Sequence, residues 1–273
     1  MYRGYDRKAK VEIGCERLFF ANFAGWDNEP RLVPRKEVPM TFTYAVIADG
    51  GIVLCADSQV KHTHRDQLGN VVGTYKGSQG KIRRFRDRFA FSICGNAGLV
   101  DTLLAEVDES LVEKADSFEK AVQVYQLAFQ SYVKAKYTDQ PHVRSFGIAF
   151  LFCGFVIHPW RSEPLVVKLD IASDFLWNPV TGRNYAATGA ERHGAAFYLH
   201  HRFYREGMPL EQAKLLAYCA AAEVADLDDS VEGPIEMEII TPEGSRPLND
   251  LKKYENARRG ILEKVRSSLA AFQ

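Results

Sequence analysis

The chain is predicted to adopt an α+β fold in which pairs of helices lie on sheets. Three observations predict this. Strand-like and helix-like segments come in blocks (strands, two helices, strands, two helices, strand), whereas strict βαβ alternation would interleave them singly. Short apolar runs are separated by glycine-containing turns, and apolar residues at helical spacing fall in the stretches between the strand blocks. The regular pattern also has a definite start, at Thr41. Residues 1–40 read differently: they carry Pro30, Pro34 and Pro39, mixed charges around Arg31, Arg35, Lys36 and Glu37, and no sustained period. No internal repeat or low-complexity tract occurs.

From Thr41 the elements follow in order. Residues 41–48 form a β-rich run, Asp49-Gly50-Gly51 signals a turn, and 52–56 is a second apolar run. Two such runs about a glycine turn predict a hairpin. A further strand fits 89–94, closed by Gly95. A helix is expected over 97–112, with Leu99, Leu103 and Leu104 on one side. Another opens at Asp116-Ser117-Phe118-Glu119, a D-x-x-E capping box, with Val122, Tyr125, Phe129, Tyr132 and Val133 at helical spacing. Strands are expected at 147–157, 164–171 and 185–188. Helices are expected at 191–204 and 209–225, the latter with proline in its first turn, and a last strand at 235–241.

Composition narrows the functional classes. Lys plus Arg and Asp plus Glu number 35 each among 273 residues, so bulk charge gives no reason to expect nucleic acid or an anionic membrane as partner. No apolar run approaches the ~20 residues of a membrane helix, and no apolar stretch follows Met1 as in a secretory signal. Cys15, Cys55, Cys94, Cys153 and Cys219 are scattered, with no CxxC pair, and a cytoplasmic location is expected. His62-x-His64 has a spacing that could grip a metal, but no Cys or acidic cluster accompanies it, and it reads as a polar loop. The adjacent His200 and His201 point different ways on a helix. Gly77-x-x-Gly80-Lys81 lacks the first half of a phosphate loop and its following Ser/Thr.

The run Thr41-Phe-Thr-Tyr-Ala-Val-Ile-Ala-Asp-Gly-Gly-Ile-Val-Leu-Cys-Ala-Asp57 resembles the opening of proteasome-type catalytic β subunits, which are N-terminal-nucleophile threonine peptidases. The family pattern is a nucleophilic Thr, a strand, a D/N-G turn, a second strand and an acidic residue. Gly80-Lys81-Ile82 and Ile93-Cys-Gly-Asn-Ala-Gly98 match later signatures at the family's separation, while extra residues within 62–77 read as a longer loop. Looser likenesses follow at 144–154, at Tyr185-Ala-Ala-Thr-Gly189 and at Asp229-Ser-Val-Glu-Gly-Pro-Ile235. Taken singly, each of these residues is ordinarily structural: a strand threonine, a turn aspartate, a lysine in a basic run, a turn glycine. Their occurrence together, in order over about residues 41–241, carries the resemblance. It implies a four-layer αββα sandwich, the N-terminal-nucleophile hydrolase fold.

What the resemblance implies for chemistry is specific. A Thr hydroxyl is a poor nucleophile until a base takes its proton, and in this family the base is the α-amine of the same residue. Carried over, Thr41 supplies hydroxyl and amine, Lys81 favours the alkoxide, Asp57 holds Lys81, and the Gly95 N–H donates to the oxyanion. Asp229 and Ser230 assist the amine. Val60, Ile93 and Ala97 line the pocket for the residue before the scissile bond, favouring an apolar or medium-sized side chain. No cofactor or metal is implied. The implied partners are peptide or unfolded protein substrate, further copies in a homo-oligomeric ring, and an ATP-dependent unfoldase.

Two departures bear on this. Ala190 stands where the family usually has a serine beside the third-helix glycine, and Val231, Glu232 and Gly233 replace a second serine and two glycines. These changes put the proton relay in question. The residue before Thr41 is Met40, not the glycine usual in family precursors. Residues 1–40 are therefore a leader, a propeptide or an extension upstream of the true start; translation from Met40, with removal of that methionine, would expose Thr41 directly. Lys36-Glu37-Val38 can be encoded as a ribosome-binding sequence a short spacer before Met40. Against this, Gly4-Tyr5-Asp6-Arg7 resembles the opening of non-catalytic proteasome α subunits. The expected activity is threonine-type peptide-bond hydrolysis in protein degradation. Its alternatives are a non-catalytic subunit of such a ring, or a small-amide hydrolase on the same fold.

Overall fold

The computed structural model describes residues 41–65, 71–138, 147–180, 184–189, 194–228 and 231–270; residues 1–40, on which the reading of an N-terminal extension rests, lie outside these. In chain order the elements are β1 (Phe42–Ala48), β2 (Gly51–Asp57), β3 (Gln59–Arg65), β4 (Val71–Ser78), β5 (Ile82–Phe85), β6 (Phe89–Cys94), α1 (Ala97–Ala105), α2 (Glu109–Lys114), α3 (Phe118–Tyr137), β7 (Ala149–Ile157), β8 (Ser162–Asp170), β9 (Asn178–Pro179), β10 (Tyr185–Gly189), α4 (Ala195–Phe203), α5 (Leu210–Leu227), β11 (Ile235–Thr241), β12 (Gly244–Pro247) and α6 (Lys252–Ala270). The strands form two five-stranded sheets, ordered β10-β1-β2-β11-β12 and β5-β6-β7-β8-β9, with β3-β4 as a separate hairpin.

Side-chain alternation builds four layers from these sheets. On β1 and β2, Tyr44, Val46, Val53 and Cys55 turn outward onto α4 and α5, while Ala45, Ile52 and Leu54 turn inward. On β6 and β7, Phe91, Phe150 and Phe152 turn outward onto α1 and α3, while Ala90, Leu151 and Cys153 meet the first sheet. Because successive strand residues point to opposite faces, strands covered on both sides read as unbroken apolar runs. Small residues (Ala45, Ala90, Cys153, Ala186) alternate with aliphatic ones (Ile52, Leu54, Leu151, Ile240) where the sheets face one another, and large aromatics fill the space between the second sheet and its helices. The Phe91–Phe152 rings stand 4.9 Å apart and Phe129–Phe150 4.6 Å apart, a separation at which aromatic contact adds to area burial. The αββα sandwich expected from the sequence is the observed fold.

Several elements differ in detail from the sequence reading. The expected 97–112 helix is two helices, because Asp108 turns its carboxylate onto the Ser110 N–H and caps a new start. The next helix is capped by Ser117, whose hydroxyl accepts from the Lys120 N–H, so its start falls one residue after that of the Asp116 capping box. Residues 62–65 and 71–77, read as loop, belong to the β3-β4 hairpin. β5, β12 and α6 were not anticipated. Among the described residues no helix is long and apolar enough to cross a membrane.

One buried polar contact ties the first sheet to its helix layer. The Tyr44 hydroxyl lies 2.6 Å from Nδ1 of His200 on α4. His200 is 4% exposed, and burial, with His201 second, pushes its imidazole down to about 4. Between that value and the ordinary ~6.5 the unfolded chain binds the proton and the folded chain does not. The contribution is thus complete above pH 6.5 and is lost as pH falls toward 4. Urea unfolding at pH 7 and pH 4.5 should show an acid loss smaller by on the order of 2 kcal/mol in His200→Gln than in the parent.

Candidate active site

Thr41 sits at the entry to β1, 5% exposed, and its position is set by the neighbouring strand. β1 pairs with β10 so that Phe42 lies opposite Gly189. Gly189 has φ +91°, and a Cβ there would fall 1.5 Å from the Thr41 carbonyl oxygen. Only glycine admits both that dihedral and that approach. Cys94, at the end of β6, turns its thiol toward the same carbonyl at 3.8 Å. Gly95 follows with φ +112°, and a Cβ there would meet the Ile148 backbone at 2.8 Å. The glycine turn thus lets the second sheet close against Thr41.

Asp57 is the last residue of β2 and is 2% exposed. Its Oδ1 accepts from the Phe42 N–H at 2.8 Å, and its Oδ2 from the Gln59 N–H at 3.2 Å. The Lys81 ammonium, 6% exposed, donates to Asp57 Oδ2 at 2.7 Å and to Thr41 Oγ1 at 3.1 Å. Three residues far apart in sequence therefore converge on one buried hydrogen-bonded line. Burial pushes the Asp57 carboxyl above its ordinary range, while the Lys81 ammonium and the two main-chain N–H groups pull it down.

The energetics indicate why such a pair is kept. Desolvating each ion costs several kcal/mol, and mutual attraction returns this only with good geometry and further hydrogen bonds; an apolar pair of similar volume often serves a fold as well. Stability alone therefore does not call for Asp57 and Lys81 here. Their chemical consequence is clear: a fixed positive charge within hydrogen-bond distance of a hydroxyl oxygen favours its alkoxide form. As an ammonium paired with the Asp57 carboxylate, Lys81 has no lone pair with which to remove the hydroxyl proton.

The remaining expected residues fall as follows. Ile93 is buried in the core beneath α1, and Ala97 opens that helix, half-buried. Val60 is the second residue of β3, paired with Gly77. Asp229, Ser230 and Ala190 lie outside the described residues. Val231 is fully buried on the α5 side of the first sheet, and the Glu232 carboxylate accepts from Gln59 Nε2 at 2.8 Å. Sequence reasoning missed Gln59, and it missed Thr43 and Thr188, whose hydroxyls meet at 2.8 Å behind Thr41. The Thr43–Thr188 pair depends on the β1-β10 register and leaves no local signal; Gln59 could have been suspected from its place two residues after an aspartate.

Comparison with known proteins identifies the family. Residues 41–240 match the family described as proteasome subunit, and the chain belongs to that family. It is 27% identical over 213 residues to proteasome subunit beta 1 of Thermococcus kodakarensis, an alignment covering 77% of this chain and 93% of that one. Among solved structures, Anbu from Hyphomicrobium sp. strain MC1 superimposes with TM-score 0.64 at 17% identity, covering 84% of this chain and 97% of that one. Anbu (ancestral beta-subunit) from Yersinia bercovieri gives 0.62 at 15% identity, covering 84% and 97%. At such identities these two likenesses concern the fold.

The buried pair can be tested without any assay of activity. Asp57→Leu leaves a buried ammonium and Lys81→Met a buried carboxylate, so each should lose about 3 kcal/mol or more in denaturant unfolding; the double variant should be less destabilised than the sum of the two, keeping a loss of about 1–3 kcal/mol for each of the Phe42 and Gln59 N–H groups that Asp57 no longer accepts.

Proposed function

We propose that this member of the proteasome subunit family is a threonine peptidase that hydrolyses peptide bonds with Thr41 as nucleophile. The observation that carries the proposal is the Lys81 ammonium 3.1 Å from Thr41 Oγ1, held by Asp57 at 2.7 Å. Lys81 does not take the hydroxyl proton, so the base must be another group. An α-amine, with a pKa near 8 in water, is suited to this near neutral pH, and a neighbouring ammonium lowers that value further. An amide nitrogen is no base, so the proposal requires Thr41 to be the first residue of the working chain. Residues 1–40 would then be absent from it, either cleaved off or never translated, and residues 41–273 would form the catalytic domain.

In the proposed reaction the Oγ proton passes to the amine as Oγ bonds to the scissile carbonyl carbon. The oxyanion takes a hydrogen bond from the Gly95 N–H. Collapse breaks the C–N bond, and the ammonium returns its proton to the departing amine, leaving an ester on Thr41. Water then gives a proton to the α-amine as it attacks the ester carbon; the bond from that carbon to Oγ breaks, the ammonium returns the proton to Oγ, and the acid is released. Asp229 and Ser230 would hold the amine, and Val60, Ile93 and Ala97 would shape the pocket before the scissile bond. The family relationship supports oligomeric assembly. A homo-oligomeric ring enclosing the sites, supply of unfolded protein by an ATP-driven unfoldase, and a cytoplasmic location complete the proposal.

A second reading is favoured by specific residues: Met40 before Thr41, and Ala190 and Val231 in place of family serines. By it, the chain is a non-catalytic subunit of a proteasome-like assembly. Hydrolysis of fluorogenic peptides separates the two. Peptidase function predicts that Thr41→Ala lowers kcat at least about a thousandfold while the assembly keeps its size, and that activity falls as pH drops below the amine's pKa. Equal rates in Thr41→Ala and parent would remove the nucleophile assignment. Turnover of small amides but not peptides would place the substrate among small amides.

A further inference from the structure

We infer that Glu236 is a positioning residue that holds the main chain of Lys81; this deepens the reading of Thr41 and Lys81 given above and rests on it. Lys81 itself lies just before β5, the edge strand of its sheet among the described residues, where outward N–H groups have no neighbouring described strand to accept them. Its carbonyl accepts from the Ile93 N–H at 3.0 Å, which fixes one side. On the other side, Glu236 Oε2 accepts from the Lys81 N–H at 2.9 Å and the Ile82 N–H at 3.3 Å. This carboxylate comes from the opposite sheet. On β11, Ile235 pairs with Asp57 and Glu236 with Ala56. The strand that lies against Asp57 therefore also supplies the group that grips Lys81, and both partners of the ion pair are referred to neighbouring rungs of one ladder.

The next inward residue repeats the device. Glu238, two positions on and so on the same face of β11, accepts from Ser245 Oγ at 2.6 Å and lies 3.4 Å from Arg84 Nε of β5. β5 is thus clamped to β11 at two points, of which only Glu236 acts on Lys81. Glu236 also borders an open cleft between Ile82, Arg84, Pro234, Met237 and Leu251. Water entering there can solvate the N–H groups when the carboxylate is removed. Its loss should therefore be felt more in the placement of Lys81 than in the stability of the fold.

The test uses protein made from the full gene, with Thr41 confirmed as first residue by mass. Glu236→Met removes the acceptor at similar length, and Glu236→Gln keeps one. The expected result for Glu236→Met is a kcat lower by about ten- to a hundredfold with KM within about threefold, since ångström-scale misplacement of a catalytic group costs rates of that order. The acid limb of its pH profile should move upward, because a more distant ammonium depresses the amine less. Lys81 and Ile82 amide exchange should accelerate. Glu236→Gln should restore all three toward the parent. A parent that is active while Glu236→Met keeps its kcat and acid limb would overturn the inference. If the parent hydrolyses nothing, the peptidase reading fails by itself; exchange at Lys81 and Ile82 then decides for Glu236, acceleration in Met but not Gln supporting it and equal protection overturning it. Should Glu236→Met not fold, Glu236→Ala takes its place; failure of both beside a native Glu236→Gln assigns the residue to the fold and overturns the inference.

Discussion

A lysine ammonium cannot be withdrawn from water without a counter-charge and a full set of hydrogen-bond acceptors. That constraint organises the centre of this molecule. Asp57 supplies the counter-charge, but it can do so only at the end of β2, where the Phe42 and Gln59 N–H groups fix both carboxylate oxygens. The Phe42 bond in turn sets the start of β1, which puts Thr41 under the Lys81 ammonium. Gly189 must be glycine for β10 to lie alongside. The two sheets approach at this end through small and polar residues, Thr43, Thr188 and Cys94, while the aromatic bulk is kept to the outer sheet–helix layers.

Much of this architecture was legible in the sequence because both-sided burial writes itself as continuous apolar runs. β1, β2, β6 and β7 were each visible in that way. The β3-β4 hairpin was not. Its strands, Gln59-Val-Lys-His-Thr-His-Arg65 and Val71-Val-Gly-Thr-Tyr-Lys-Gly-Ser78, carry too few alternating apolar residues to read as half-buried strands. α6 escaped for a related reason: Lys252–Ala270 is mostly polar, and its hold on the body includes Tyr254 on Glu211 and Arg258 on Glu223 and Asp226. Such contacts cannot be foreseen from helical periodicity. The break between α1 and α2 was written in Asp108, a capping residue that leucine spacing masked.

The site divides along the same line. Thr41, Asp57, Lys81 and Gly95 could be singled out because each lies in a local motif of fixed spacing, and the fold brings the first three together. Gln59, Thr188 and Glu236 act on the same atoms or their neighbours, but they do so through strand register, which no local pattern reveals. Glu236 looks like any polar residue on a strand until β11 is paired with β2. Glu232 has an analogous history: as a sequence departure it read only as a lost glycine, and in the fold its carboxylate is the partner of Gln59. The roles expected of Asp229 and Ser230 lie outside the described residues and stay with the resemblance that suggested them.

The central claim is that the Thr41 amine and hydroxyl act together, and this depends on a single covalent fact. Intact mass with N-terminal sequencing, on protein produced from its native gene region, reads that fact directly. A chain beginning at Thr41 is the predicted result, leaving a free amine beside the Lys81 ammonium. A chain that retains Met1 would have Thr41 acylated, with no base at hand, and would contradict peptidase function in favour of a structural subunit.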